Sequence, residues 1–470
     1  MLFNSWQYAL FFPIVFALYW GLPHKFRVYL LLIASYWFYM SWNVKYVVLI
    51  LFTTLVSYSA ALMLERAHTR RVKRVILTLT LFACLGVLFV FKYFNFVTGA
   101  VVDFLNMFAL HLHPMTLKLL LPVGISFYTF QTLSYVIDVY RGQVKPECNL
   151  VVYAVFVSYF PQLVAGPIER TNNLLPQIKA NHEFNYEQAV YGVKLMTWGF
   201  FKKLCVADVL AVYVDKVFGD VYSYEGFALV LAVFFFTVQI YCDFSGYSDI
   251  ARGCSKMLGI DLMENFRSPY FSASIREFWS RWHISLSTWF RDYVYIPLGG
   301  NRCGKLRHSI NLMITFMVSG LWHGANWTFV FWGMLHGLGQ VIENAFTGRE
   351  RQEVHGLKWA VRVCVTFLFV MLAWVFFRAQ SLDEAVYVFT HMFIPVKVGY
   401  LGMGTSSKCA IELSLLLLAI HDFISLKTDA IAILRHKNLP VRWIAYFALG
   451  LLVVFFSPKD VAVEFVYFQF

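Results

Sequence analysis

Long apolar runs separated by short polar loops dominate this chain. A helix that crosses a membrane needs about 20 mostly apolar residues. Such runs lie at residues 7–22, 28–42, 45–63, 75–95, 97–112, 119–138, 150–165, 187–213, 226–247, 309–337, 358–378, 410–425 and 442–457. They are too long for barrel strands, and only helices and closed barrels satisfy their own backbone in lipid. The pattern therefore predicts an all-α polytopic membrane protein with about 11–13 membrane helices.

The composition supports this assignment. Hydrophobic residues make up 59% of the 470 residues and charged residues 14%, whereas a soluble domain carries roughly a quarter charged residues. No polar stretch is long enough for a separate domain, so we expect one membrane domain over residues 1–470. The net charge of +12 fits basic cytoplasmic loops and, without a basic polar domain, excludes a nucleic-acid partner. The eight cysteines form no CxxC pair, so neither a metal site nor a disulfide framework is expected.

Basic loops predict the orientation of the chain, because lysine and arginine crowd the cytoplasmic loops of helical membrane proteins. The densest cluster, Glu65–Arg74, should be cytoplasmic, as should Lys427–Arg442. Three helices precede the first cluster and one follows the second, so both chain ends are expected on the extracytoplasmic side. The first apolar run, Tyr8–Gly21, has no basic residue before it and more apolar runs directly after it. This pattern predicts a retained helix rather than a cleaved signal.

Polar side chains in apolar surroundings mark candidate chemistry, because ionisable groups are costly in a membrane. The segment Arg276–Asp292 carries aromatic and aliphatic side chains on one helical face. Its other face is polar and consists of Arg276, Ser280, His283, Ser287 and Arg291. A helix lying in the lipid headgroups has this pattern, and so does a helix that dips inward and lines a cavity with His283. The spacing alone leaves both interpretations open.

A second polar stripe lies in the aromatic segment Ser319–His336. One helical face carries Thr315, Ser319, His323 and Asn326. Gly320 and Gly324 allow another backbone or a ligand to approach closely. A lone buried histidine usually bonds a neighbouring helix, but His323 stands within a polar stripe. Since imidazole suits base catalysis near neutral pH, His323 is a candidate general base beside that structural alternative.

Two further segments carry polar groups where apolar ones would be expected. Asp243 and Asp249 follow an apolar helix, and we expect them to form structural ion pairs with arginines of the segment Arg276–Asp292. The chain ends in an aromatic tail, residues 458–470, which contains Tyr467. Such a tail is typical of an anchor at the membrane interface, but the Tyr467 hydroxyl is also able to receive an acyl group.

Five segments resemble the motifs of the membrane-bound O-acyltransferase superfamily, in the bacterial branch with alginate O-acetylation and teichoic-acid D-alanyl transfer proteins. They are LPVGISFYTFQTLSYVIDVYRG at Leu121–Gly142, FPQLVAGPIER at Phe160–Arg170, YCDFSGYSDIARG at Tyr241–Gly253, FWSRWHISLSTWFRDYVYIPLGGNR at Phe278–Arg302 and SGLWHGANWTFVFWGMLHG at Ser319–Gly337. One such match is weak, but five in the family's order are specific. The resemblance implies a ring of tilted helices around a central tunnel, with re-entrant or interfacial helices and a catalytic core over residues 121–337.

The resemblance also implies roles for individual residues. The family's catalytic histidine corresponds to His323, and its second motif position, asparagine or histidine in different branches, corresponds to His283. The candidates for lining the tunnel and holding the donor are Arg276, Ser287, Arg291, Ser319, Trp322 and Asn326. The tail resembles that of the small partner protein in D-alanyl transfer, where a tyrosine is proposed to carry the acyl group. Tyr467 is therefore a candidate acyl relay.

The function implied is transfer of an acyl group, expected to be acetyl, from a cytoplasmic thioester across the bacterial inner membrane. The expected donor is acetyl-CoA or an acyl carrier protein, with no bound cofactor and no metal. An extracytoplasmic partner of the serine-esterase-like SGNH type would then O-acetylate a polysaccharide, either an alginate-like exopolysaccharide or a cell-wall polymer. Three alternatives stay open: a transporter or flippase without covalent chemistry, a scaffold for a catalytic partner, and direct acylation of a lipid-linked sugar with Tyr467 only structural.

Overall fold

Helices form the regular structure of the described residues in the computed structural model, and none of those residues lies in a β-strand. The structure describes residues 1–164, 166–347, 354–395, 405–434, 437–456 and 465–466. The all-α fold predicted from the apolar runs is therefore confirmed. Packing divides the chain into two compact units, and the single functional domain over residues 1–470 stays a prediction.

The first unit consists of Met1–Val193 and Ala251–Met263. Its helices are α1 (Trp6–Gly21), α2 (His24–Met40), α3 (Val47–Arg66), α4 (Arg70–Leu88), α5 (Phe94–Asn106), α6 (Ile125–Tyr140), α7 (Leu150–Ser158), α8 (Phe160–Leu163), α9 (Thr171–Lys179) and the start of α10 (Tyr186–Phe200). α3 packs against α4 and α6, and α2 packs against α7. Ser5 begins α1 and Asn149 begins α7 with side-chain oxygens that accept backbone N–H bonds, which satisfies donors left open at a helix start.

The second unit consists of Lys194–Ile250 and Glu264–Phe470. After α10, a π-helical turn at Phe201–Ala207 leads into the next helix. The helices that follow are α11 (Asp208–Gly219), α12 (Phe227–Met257), α13 (Ile275–Arg281), α14 (Ile284–Phe290), α15 (Lys305–His323), α16 (Trp327–Thr347), α17 (Gly356–Arg378), α18 (Leu382–His391), α19 (Thr405–Ser425), α20 (Ala430–Ile433) and α21 (Leu439–Phe456). α15 and α16 form a tightly packed hairpin, and α17 packs against α16.

Five helical stretches among the described residues are long and apolar enough to cross a membrane. They are Val44–Arg66, Arg70–Asn106, Phe227–Met257, Gly356–Arg378 and Leu439–Phe456. Each coincides with one or two of the runs predicted from the sequence. Large apolar side chains stand exposed on them, among them Phe82 in α4 and Phe447 in α21. Exposed apolar side chains on apolar helices are typical of a surface that faces lipid.

Indole rings form the centre of the second unit. Trp282, Trp332 and Trp374 are almost completely buried. The Trp374 ring lies 5.0 Å from that of Trp282 and 5.6 Å from that of Trp332, measured between ring centroids. Such aromatic pairs contribute about 0.5–1.5 kcal/mol each beyond the area they bury. This rigid aromatic core positions the polar groups described next.

Candidate active site

The segment Arg276–Asp292 contains two short helices rather than the single amphipathic helix predicted from its spacing. α13 ends at Arg281, Trp282 is extended, and α14 begins at Ile284. Between them His283 adopts a left-handed backbone, with φ of 41° and ψ of 55°. This conformation costs a residue with a side chain about 1–3 kcal/mol, and such strain clusters at functional sites. The turn aims His283 into the interior, where it is 1% exposed.

Asn265 holds this turn in place. Its carbonyl oxygen accepts a hydrogen bond from the backbone N–H of Ile284 at 2.9 Å. Its side-chain oxygen accepts from the backbone N–H of Ser285 at 3.1 Å and from the Ser285 hydroxyl at 2.9 Å. Asn265 was not predicted from the sequence, because an isolated asparagine between helices breaks no helical pattern.

His323 is the last residue of α15 and is 3% exposed. Its position is set by the hairpin of α15 and α16, in which the two helix backbones are in contact at glycines. A Cβ on Gly320 would lie 2.2 Å from the Phe329 carbonyl oxygen, and a Cβ on Gly333 would lie 2.3 Å from that of Phe316. Only glycine fits at such distances. The prediction that Gly320 allows another backbone to approach is therefore confirmed.

The two predicted histidines lie next to each other. Their ring centroids are 6.4 Å apart, with 53° between the ring planes. Trp322 contacts both rings, at 5.0 Å from His323 and 6.1 Å from His283. Phe244 lies 4.5 Å from His283, and the surrounding burial lowers the pKa of the His283 imidazole well below its ordinary value. A neutral imidazole carries one N–H donor and one acceptor nitrogen.

A third histidine, His336 in α16, lies in the same aromatic core and was not singled out from the sequence. It is fully buried, and the Trp279 indole N–H donates to its Nδ1 at 3.3 Å. The Trp332 ring contacts both His336, at 4.9 Å, and His323, at 5.1 Å. The signal was present, because His336 stands in the same motif as His323. Among the described residues, no group of three or more His, Cys, Asp or Glu side chains is arranged to hold a metal ion.

The remaining predicted tunnel residues have different surroundings. Ser319 is buried, and the Ser287 hydroxyl donates to the Trp282 carbonyl at 3.1 Å. Asn326 donates to the Gln380 carbonyl at 2.9 Å and accepts from the backbone N–H of Thr328, so its amide holds a turn. Arg291 is exposed and pairs with its neighbour Asp292.

Arg276 lines a cavity of about 1530 Å³ within the second unit. The cavity lies between α13, α16, α17 and the end of α19. Its basic side chains are Arg276, Arg281, Arg362 and Lys427, and its acidic side chains are Glu277 and Glu343. Arg281 pairs with Glu277 at 2.7 Å. The lining thus carries more positive than negative charge. Helix α13, which contributes Arg276 and Arg281, ends two residues before His283.

Asp243 and Asp249 form buried ion pairs, but with lysines rather than with the predicted arginines. Asp249 pairs with Lys202 and Asp243 pairs with Lys203, each at 2.6 Å. Both lysines lie in the π-helical turn Phe201–Ala207. The correction has a physical reason: α13 ends at Arg281, so its arginines lie beside the cavity, and the π-helical turn presents two consecutive lysines to α12 instead.

The aromatic tail contributes Phe465 and Val466 to the described residues, and Tyr467 lies outside them. Phe465 is fully buried, with its ring 4.5 Å from that of Tyr247 and 5.8 Å from that of Phe244. The Val466 backbone N–H donates to the second carboxylate oxygen of Asp243 at 2.7 Å. This part of the tail packs inside the protein, in contact with a ring that also contacts His283.

Comparison with known proteins identifies the relatives of this chain. The model of the membrane-bound O-acyltransferase family, MBOAT, matches residues 146–382, a range that includes both histidines. A probable alginate O-acetylase of Pseudomonas putida is 42% identical over 397 residues, covering 84% of this chain and 80% of the relative. The peptidoglycan O-acetyltransferase of Helicobacter pylori is 37% identical over 390 residues, covering 77% and 73%. A teichoic acid D-alanyltransferase of Streptococcus thermophilus is 30% identical over 288 residues, covering 56% and 69%.

Proposed function

We propose that this protein, which belongs to the membrane-bound O-acyltransferase family, moves an acetyl group from a cytoplasmic thioester to an extracytoplasmic polysaccharide. The chain is a multi-pass membrane protein and an acyltransferase. Its relatives named as O-acetylases of alginate and of peptidoglycan support acetyl as the group and a polysaccharide as the final acceptor. The observation that carries the proposal is the pair of buried imidazoles, 6.4 Å apart, at the end of α15 and the start of α14.

His323 acts as the general base in this proposal. A hydroxyl oxygen attacks the thioester carbonyl while His323 takes the hydroxyl proton, so an oxygen–carbon bond forms and the carbon–sulfur bond breaks. The proton then passes from His323 to the departing thiolate, which leaves as a thiol. Base catalysis of this kind contributes about 10²–10⁴-fold to the rate.

His283 stabilises the negative charge that develops on the carbonyl oxygen. Burial keeps its ring neutral, so one ring nitrogen carries a proton that it can donate. Removing one such donor costs roughly 10²–10³-fold in other enzymes. The Asn326 amide is engaged by Gln380 and Thr328, so Asn326 is not assigned this role.

The basic cavity beside α13 receives the donor. Coenzyme A and the prosthetic arm of an acyl carrier protein both carry phosphate, and arginine and lysine side chains bind phosphate. Arg276, Arg362 and Lys427 line the cavity. Lys427 begins the basic loop Lys427–Arg442, which the charge pattern predicts to be cytoplasmic. A thioester bound there would lie along the helix that ends next to His283.

Tyr467 is the proposed acceptor of the acyl group. The residues directly before it are buried against Tyr247, Phe244 and Asp243. An acylated tail would hand the group to an extracytoplasmic partner of the serine-esterase-like SGNH type, which would acylate the polysaccharide. This route requires an extracytoplasmic C-terminus, and the basic loops predict both termini on that side of the bacterial inner membrane.

The test compares variants in cells that express them at matched levels, with ester-linked acetyl groups on the extracellular polysaccharide as the readout. His323→Ala should abolish acetylation. His391→Gln, which alters a histidine of α18 outside the site, should leave it unchanged. Normal acetylation by His323→Ala would remove the catalytic assignment and favour a transporter or scaffold.

A further inference from the structure

Asp243 belongs to a buried cluster of charges in the second unit. One of its carboxylate oxygens lies 2.6 Å from the Lys203 ammonium nitrogen, which also lies 2.7 Å from a carboxylate oxygen of Asp208. All three side chains are at most 5% exposed. Buried carboxylate oxygens need hydrogen-bond donors, because their loss of water is otherwise uncompensated. The Lys203 ammonium pairs with two carboxylates, so additional hydrogen-bond donors to their oxygens stabilise the cluster.

The C-terminal tail supplies one of these donors. The Val466 backbone N–H bonds the second oxygen of Asp243 at 2.7 Å, a charge-assisted bond of the stronger kind. Phe465 packs beside it against Tyr247. A carboxylate and two aromatic rings of α12 thus hold Phe465 and Val466.

The same stretch of α12 connects the tail to the histidine pair. Phe244 follows Asp243 directly, and its ring contacts both Phe465 and His283. Val466 directly precedes Tyr467 in the sequence. The bond to Asp243 therefore fixes the chain one residue before the proposed acyl acceptor, next to a ring that touches the second histidine.

We propose that Asp243 is a positioning residue that clamps the C-terminal tail through the Val466 N–H and so sets the reach of Tyr467 towards the histidines. Lys203 orients the Asp243 carboxylate, since it binds the oxygen that the tail does not use. The role of this clamp in catalysis rests on the proposed function, in which Tyr467 accepts the acyl group. The position of the tail, however, is measurable without any acyl transfer.

The experiment measures hydrogen–deuterium exchange of the C-terminal peptide in the full-length protein in detergent. Asp243→Asn weakens the acceptor, and Val466→Pro removes the donor without touching the cluster. Two matched controls are Asp208→Asn, which removes a charge from the same cluster but not the acceptor, and Val466→Ala, which keeps the N–H. A charge-assisted bond of ordinary strength corresponds to roughly ten- to a hundred-fold in the population of the bound tail.

We expect tail exchange to rise by about this factor in Asp243→Asn and Val466→Pro, with much smaller changes in the two controls and in the rest of α12. Equal increases in tail exchange in Asp243→Asn and Asp208→Asn would overturn the clamp and indicate that the cluster is only structural. Unchanged tail exchange in Val466→Pro would overturn the clamp as well. The mass of each protein after incubation with acetyl-CoA separates the two proposals. Selective release of the tail without an acetyl adduct on the wild type would support the clamp and overturn the tyrosine relay.

Discussion

His283 shows how much of the site a side-chain pattern is able to reveal. Its polar face and its motif identified the residue from the sequence. The backbone reversal at Trp282–His283 was not predicted, because the spacing of apolar residues continues across it as in one helix. Asn265, whose oxygens hold that reversal, was also missed. Periodicity reports which residues share a face, but not where the chain leaves the helix.

The role proposed for His283 predicts a graded response to substitution. Asparagine tolerates the left-handed conformation far better than alanine, and its amide retains an N–H donor. His283→Asn should therefore keep measurable acetyl transfer, whereas His283→Ala should lose roughly 10²-fold or more. Acetyl transfer per folded protein, normalised by thermal unfolding, checks this. Equal and complete loss in both variants would indicate that His283 itself moves the proton.

Glu169 predicts a dependence of stability on pH. Burial raises the pKa of its carboxyl from 4.5 to about 7, although bonds from Asn173 and Met263 and the charge of Arg252 oppose the rise. Between these two pH values the folded protein binds more protons than the unfolded chain. Stability should therefore fall as pH rises from about 4.5 to about 7 and then level off.

Thermal unfolding in detergent over this pH range tests the contribution of Glu169. Glu169→Gln does not titrate and should remove this part of the slope. Glu183→Gln, at an exposed position of the same unit, should keep it. A slope that persists unchanged in Glu169→Gln would assign the titration to another group.

Among the helices, the apolar runs predicted most elements, but the single run 309–337 contains two, α15 and α16, with a break at residues 324–326. Gly320 was predicted to allow another backbone to approach, and that backbone belongs to α16. The π-helical turn at Phe201–Ala207 was not predicted, because one extra residue in a turn leaves no mark on an apolar run. Its consequence was the one wrong ion-pair prediction, since the turn directs Lys202 and Lys203 towards α12. Local irregularities of this kind depend on tertiary partners that the pattern does not contain.

Backbone contact in the hairpin predicts a large penalty for the smallest substitution. The added methyl group of Gly320→Ala would lie 2.2 Å from the Phe329 carbonyl oxygen, so α15 and α16 must separate. We expect a loss of about 1–3 kcal/mol in the free energy of unfolding, together with lost activity, because His323 ends α15. Gly450→Ala, in α21 of the same unit with open space around it, should be neutral or stabilising by up to about 1 kcal/mol. An equal change in thermal stability in the two variants would contradict the backbone contact at Gly320.

For the molecule as a whole, composition predicted a membrane protein and the five motifs predicted its family, and the family model and the relatives confirm both. The acceptor polysaccharide, the donor and the partner stay proposals. The sequence contains no motif that identifies the sugar acceptor. The placement of Val466 inside the protein was also beyond the sequence. Spacing favoured an interfacial anchor, and only the fold brings the tail to Asp243.

The charge pattern predicts the orientation of the whole chain. A green fluorescent protein fused after Thr69 should fluoresce, because the loop Glu65–Arg74 is expected in the cytoplasm. Alkaline phosphatase, which is active only outside the cytoplasm, should be active when fused after Phe470. The exchanged fusions serve as controls and should be silent. Active phosphatase after Thr69 would contradict the predicted orientation, and with it the cytoplasmic location proposed for the donor.

The most direct test of acyl transfer by this protein is its own mass. Purified protein in lipid nanodiscs would be incubated with acetyl-CoA and analysed intact, beside His323→Gln and Tyr467→Phe. We predict one added acetyl group on the wild type and none on either variant, because the first lacks the base and the second lacks the acceptor. An acetyl group that persists in His323→Gln, or one that persists in Tyr467→Phe, would contradict the base or the relay respectively.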